Sequence, residues 1–181
     1  EIVRTIHRRV AGVAPDGRPY AATDPRLLLF VHVTEVAGFL RAYQRHGNSP
    51  LTAAASDQYV AEMAVIAEAL GSDPAPRDVA ELDACLDSFS GELAAGTQAL
   101  RAVSFLRGVQ VEPALRPGYR YLFDAACALL DREHATLLGL DRAARCGRAG
   151  RNGTVISAVL RWALGPSPVA AAAATRLDAG R

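Results

Sequence analysis

The sequence predicts an all-α fold: a single multi-helix domain over residues 1–165, followed by an Ala-rich tail at 166–181. Three observations carry this. Half of the residues are apolar, much of that Ala and Leu. Apolar residues recur at i, i+3, i+4 and i+7 through several long segments, which is the period of an amphipathic helix. No strand-like alternation runs longer than four residues, and there is no internal repeat. A chain of 181 residues is long enough for one ordinary domain with one core.

The elements follow in order. Glu1–Gly12, EIVRTIHRRVAG, reads as a helix with Ile2, Val3, Ile6 and Val10 on one inward face and His7 at its edge. The segment lacks an initial Met and is already in helical pattern, so further chain is expected upstream. A turn-rich connection with Asp16-Gly17 and Pro19 follows. Thr23 or Asp24 caps the next helix, with Pro25 at its first position. That helix, PRLLLFVHVTEVAGFLRAYQRHG, carries two apolar stripes. One is Leu28, His32, Glu35 and Phe39; the other is Leu29, Val33, Val36, Leu40 and Tyr43. Both are expected to face inward.

A third helix runs over 56–70, with Tyr59, Met63, Ile66 and Leu70 inward, and stops at Gly71. A fourth covers 79–89, a fifth 97–109 and a sixth 118–130, and the short helical piece REHATLLGL comes next. The Gly- and Arg-rich stretch 142–153 reads as a solvated loop, with an anion contact as the alternative. A last helix is expected over 154–164.

Composition excludes several functions. The formal net charge of +1 gives no strong pull toward nucleic acid or an anionic membrane. All 20 basic residues are Arg, so no Schiff base and no lysine general base is available. Cys85, Cys127 and Cys146 are widely spaced, without a CxxC, and read as reduced thiols in a reducing compartment. No uncharged apolar run reaches about 18 residues, so no transmembrane helix is expected. No secretory leader is visible, and a cytoplasmic location follows as the expectation. There is no nucleophile elbow, P-loop or Rossmann fingerprint.

Four histidines remain to be explained. His46 precedes Gly47 at a helix C-terminus, where a cation complements the dipole. His134, in DREHAT, reads as exposed. His7 and His32 lie on or beside inward faces, where an imidazole is either hydrogen-bonded in the core or ligates a metal. Glu35, three residues after His32, shares its surface. As a buried carboxylate it needs a partner, His or Arg, or a polar cavity. His32-x-x-Glu35 with Glu62 superficially suggests a di-metal carboxylate bundle, but the order is reversed and no second copy exists.

Three stretches carry a family resemblance: RTIHRRVAG, DGRPYAATDPRLLLFVHVTEVAGFLRAYQRHG and YVAEMAVIAEALG. With LRPGYRYLFDAACALL and RWALGPSP, they resemble the MpaB-type oxygenases, a family that includes the rubber oxygenases. The block from Asp24 to Thr34 is the most specific. The resemblance implies an all-helical fold and a b-type haem that cleaves carbon–carbon double bonds with O2. It implies His7 as the iron ligand, because the family's ligand motif falls on Val3 to Val10. The family's distal-pocket helix lies upstream of this segment, and its distal lysine has no counterpart here.

On this reading His32, Thr34 and Glu35 line the catalytic pocket, and Arg4 or Arg8 pairs with a haem propionate. The substrate is a small hydrophobic molecule, for which Leu28, Phe39, Ile66 and Leu106 would form an apolar pocket. The alternative is a non-catalytic helical ligand-binding or interaction domain that keeps the fold without haem.

Overall fold

The computed structural model describes residues 1–141 and, beyond them, positions 158, 172, 173, 175 and 176. The expected loop at 142–153, the helix at 154–164, Cys146 and the Ala-rich tail lie outside the described residues. The fold is mostly helical, as the periodicity predicts. The chain forms two compact units, one of Glu1–Gln44 with Ser49–Phe105 and the other of Arg45–Asn48 with Leu106–Arg181.

The first unit is built on two long helices, α2 (Pro25–His46) and α3 (Ala53–Leu70). α1 (Ile2–His7), β1 (Ala11–Val13) and β2 (Pro19–Ala21) precede them. At the start of α2, the Asp24 carboxylate accepts from the backbone N–H groups of Arg26 and Leu27 at 2.9 and 3.1 Å. Asp24 is therefore the cap, and Pro25 takes the first position, where its missing N–H costs nothing. Thr52 caps α3 by accepting from Ala55 N–H at 3.2 Å.

Hydrogen bonds at both ends fix α2 and α3 as an antiparallel hairpin. At one end the Gln44 amide donates to Leu51 O (3.2 Å) and Ser56 Oγ (3.1 Å), and its carbonyl accepts from Leu51 N–H at 2.8 Å. At the other, Asp73 N–H donates to Pro25 O at 3.2 Å. Between these clamps Leu29, Val33, Val36 and Leu40 of α2 meet Val60, Ala64 and Ala67 of α3 in one buried cluster.

α4 (Val79–Phe89) closes one flank of this seam. Its own cap is Asp78, which accepts from Glu81 N–H at 2.8 Å. Asp57 of α3 accepts from Val79 N–H at 3.0 Å, which ties the helix start to α3. Leu82 and Phe89 point into the cluster. The Phe89 ring lies 5.2 Å from that of Phe30, tilted by 59°. The Arg26 guanidinium stands 4.4 Å over the Phe89 ring and pairs with Glu92. α5 (Thr97–Arg107) has no buried residue.

In the second unit, α6 (Arg116–Cys127) and α7 (Arg132–Leu137) bury Ala125, Cys127, Ala135 and, just beyond, Leu140. The Tyr119 hydroxyl donates to Leu106 O. The Arg107 guanidinium lies 5.7 Å from the Phe123 ring.

The structure departs from the expectations in three places. First, the helix expected to reach Gly12 stops at His7. Its last turn tightens, with Arg9 N–H bonded to Ile6 O and Val10 N–H to His7 O. Ala11–Val13 then pairs antiparallel with Pro19–Ala21. The turn between them uses Gly17 at φ +86°, a conformation other residues reach only at a cost. Gly12 sits opposite Tyr20, and a Cβ there would come within 2.9–3.0 Å of the phenol. Three-residue strands are too short for alternation to show in sequence.

Second, the expected inward face of this helix is open. Ile2, Val3, Ile6 and Val10 are 45–77 % exposed. Val10 no longer shares a helical frame with Ile6. Third, Phe39 and Ile66 are 60 % and 51 % exposed, and Leu28 is only half-buried. α4 shifts the buried arc of α2 toward Phe30 and Ala37, so the opposite stripe, Leu28–His32–Glu35–Phe39, falls to the edge. Leu106 is also exposed, and it belongs to the other unit. Within the first unit, Leu28, Phe39 and Ile66 lie on an open face rather than around a closed pocket.

Two stability predictions follow. Leu82→Ala should cost about 2–5 kcal/mol in urea unfolding, whereas Phe39→Ala should cost less than about 1 kcal/mol. Gln44→Ala, which strands Leu51 N–H and removes the bond to Leu51 O, should cost about 1–3 kcal/mol.

Candidate functional site

The α1 segment places His7 between exposed apolar neighbours. Val3 is one turn before it, and Ile6 and Val10 flank it. The imidazole is half-buried. Its Nδ1 is sealed from solvent and has no hydrogen-bond partner. Nε2 is not sealed in this way. A buried polar nitrogen left unpaired costs about 1–3 kcal/mol, which marks this position as more than a packed core residue. Arg4 and Arg8 are exposed. The Arg8 guanidinium donates to Thr5 Oγ1 at 3.0 Å, and that hydroxyl also donates to Glu1 O at 3.2 Å.

A second set of candidates lies on α2. His32 is 9 % exposed. Burial lowers its pKa below the ordinary 6.5, and the nearby Glu35 carboxylate opposes that in part. The ring is therefore neutral at pH 7, one nitrogen a donor and the other an acceptor. Glu35 is exposed and forms no hydrogen bond or ion pair among the described residues. The expected pairing of Glu35 with His32 or an Arg is thus only a long-range attraction. Thr34 is exposed, and its hydroxyl is held by its own helix at 2.9 Å from both Phe30 O and Val31 O. Among the described residues no hydrogen bond or ion pair joins His7, Arg4 or Arg8 to His32, Thr34 or Glu35.

Tyr59 of α3, read from sequence as core, belongs with this second set. It is half-buried. Burial and the Glu35 carboxylate both raise its pKa, burial the more. Glu35 therefore faces the same side of the α2–α3 hairpin as both His32 and Tyr59. The signal in sequence was a hydroxylated aromatic where Phe would serve a dry core.

The remaining candidates are structural. His46 ends α2 buried, and burial, then Arg45, hold its pKa down. It is therefore neutral at pH 7, not the expected cation on the helix dipole. His134 is half-exposed, with Nδ1 3.6 Å from Asp131 Oδ2. Cys85 and Cys127 are free thiols, and burial raises both above the ordinary cysteine value. Protonated thiols of this kind are poor nucleophiles. Among the described residues no three His, Cys, Asp or Glu side chains gather to hold a metal. Glu62 instead accepts from the Gln58 amide at 2.8 Å, so the di-metal arrangement does not form there. A haem iron needs only one protein nitrogen, and the accessible Nε2 of His7, with bare apolar surface around it, fits that requirement. No helix among the described residues is long and apolar enough to cross a membrane.

The lowered pKa of His32 has a measurable sign. A folded pKa below the unfolded value means that the unfolded chain takes up the proton first. Stability should hold above about pH 7 and fall as pH drops through 6.5. His46 acts in the same direction. Unfolding titrations between pH 7.5 and 5 should show this loss, and His32→Gln should flatten it. A His32 ring resonance titrating above 6.5 would contradict the assignment.

Compared with known proteins, the chain matches a family described as ER-bound oxygenase mpaB/B′/rubber oxygenase, catalytic domain, over residues 1–163. No curated protein and no solved structure matches it.

Proposed function

The chain belongs to the mpaB/rubber oxygenase catalytic-domain family, and from that premise we propose that it is a haem-dependent oxygenase acting on a small hydrophobic substrate. The observation that carries the reading is the His7 ring. One nitrogen is buried without a partner, and Val3, Ile6 and Val10, close to His7 in the chain, are about half exposed. In this proposal Nε2 of His7 would hold the haem iron. Nδ1 then needs an acceptor to fix the tautomer and raise the basicity of the ring. The exposed guanidiniums of Arg4 and Arg8 suit the propionates, to which Arg binds bidentately. When bound, haem b supplies the O2 chemistry.

The protein's own part is binding, polarity and access. His32, neutral at pH 7, can both donate and accept one hydrogen bond. Glu35 adds a negative charge beside it, and the Thr34 hydroxyl stays tied to the helix unless a ligand competes for it. The family description supports an oxygenase-type catalytic domain. Haem, the residue roles, the hydrophobic substrate and a cytoplasmic location are parts of the proposal.

An absorption spectrum of the chain with added haemin tests it. A strong Soret band is expected. His7→Ala should lose it or change the iron's coordination, and added imidazole should partly restore it. His32→Ala should leave the iron bound. A colourless protein that does not take up haemin would instead favour a non-catalytic ligand-binding domain. Haem retained by His7→Ala but lost by His32→Ala would move the ligand to His32.

A further inference from the structure

One flank of the α2–α3 hairpin is covered by α4 through Phe30–Phe89 and the Asp57–Val79 bond. The other flank presents His32, Glu35 and Phe39 from α2 and Tyr59, Met63 and Ile66 from α3. Phe39 and Ile66 are more than half exposed, and Tyr59 and Met63 are half-buried. Within this apolar strip lies His32, nine-tenths buried. It has no hydrogen-bond partner among the described residues, yet neither ring nitrogen is sealed from solvent. Helical spacing sets His32 on the face of α2 that carries Glu35 and Phe39, at the edge of the apolar strip. A solvated surface histidine would be more exposed, and a structural core histidine would be bonded.

We propose that this flank binds an apolar molecule bearing one neutral hydroxyl group, with the hydroxyl on His32 and Glu35 and the hydrocarbon along Phe39, Met63 and Ile66. The chemistry of the two polar groups selects the head group. A neutral imidazole offers one donor and one acceptor, and a hydroxyl has both. It accepts from the imidazole N–H while donating to the Glu35 carboxylate. A carboxylate head meets the like charge of Glu35, and no Arg of α2 or α3 lies on this flank to offset it. An ammonium head has no acceptor for the imidazole N–H. Glu35 is the one acid that α2 and α3 place on this strip, since Glu62 lies on the outer surface of α3 with Gln58. The proposal rests on the oxygenase reading only in treating the bound molecule as a substrate; binding itself needs no haem.

Three ten-carbon probes test it: 1-decanol, decanoic acid and decylamine, each below its aggregation limit, added to the full chain without haemin. Binding is read from the His32 imidazole resonances and from ligand-observed NMR. Decanol should bind and shift the His32 signals, and decanoate should bind about tenfold more weakly or not at all. His32→Phe should weaken decanol binding about tenfold, as the loss of one good hydrogen bond does. Phe39→Ser, at an exposed position that spares the fold, should weaken all probes alike by removing apolar contact. Decanoate or decylamine binding as tightly as decanol would overturn the hydroxyl assignment. Decanol binding indifferent to both substitutions would overturn the location. Failure to take up haemin with decanol selectivity intact would sink the oxygenase reading and leave this one standing.

Discussion

The buried side-chain seam of α2 and α3 is the constraint on which the first unit depends. Val33, Val36 and Val60 are almost wholly buried, and Ala64 and Ala67 lie in the same cluster. Each fully buried Val or Leu contributes roughly 1.5–3 kcal/mol. The exposed ion pairs, Arg18–Asp16 and Arg77–Glu68, contribute about 0–1 kcal/mol each. The seam therefore outweighs the surface charges, and the caps and the Gln44 clamp serve to set its register. Once the register is set, α4 can cover only one flank, and the other is left to His32, Glu35 and Tyr59.

The same turn of α2 that supplies Val33 and Val36 to the seam supplies His32 to its edge. The imidazole is thus positioned by the best-packed part of the molecule, which favours a defined geometry for whatever it binds. Glu35, one turn on, leaves the packed surface and keeps its charge in water. Its influence on His32 and Tyr59 is electrostatic only. A buried pair would have cost desolvation of both partners. Here only the neutral imidazole and the phenol are drawn inward, and the charged member stays out.

Much of this was legible in the sequence. The cap and Pro25 of α2, the stops at Gly47 and Gly71 and the 3.6-residue period locate α2, α3 and α4 to within a few residues, because each signal is local. Which of two adjacent apolar stripes faces inward is not a local property. Leu28–His32–Glu35–Phe39 and Leu29–Val33–Val36–Leu40 both read as core, and only the placement of α3 and α4 separates them. Ile66 was misplaced for the same reason. The β1–β2 hairpin is not legible, because three-residue strands carry no period, although its Asp16-Gly17 turn is plain. His7 and His32 stood out as imidazoles among β-branched residues. Tyr59 did not, since its hydroxyl matters only beside a carboxylate from another helix.

The two imidazoles differ in a way that bears on which of them meets a planar cofactor. A side-chain nitrogen that would hold haem iron has to stand where the ring could reach it. His7 does: Val3, Ile6 and Val10 around it are each close to half exposed, and its Nε2 is accessible. His32 is recessed to 9 % exposure, and a macrocycle could reach its nitrogens only if the surrounding side chains withdrew. A narrow head group on a hydrocarbon chain has no such difficulty. Under the two proposals the broad ligand would go to α1 and the thin one to the edge of α2. The apolar exposure of α1, costly for an isolated helix surface, is then the surface that haem would cover.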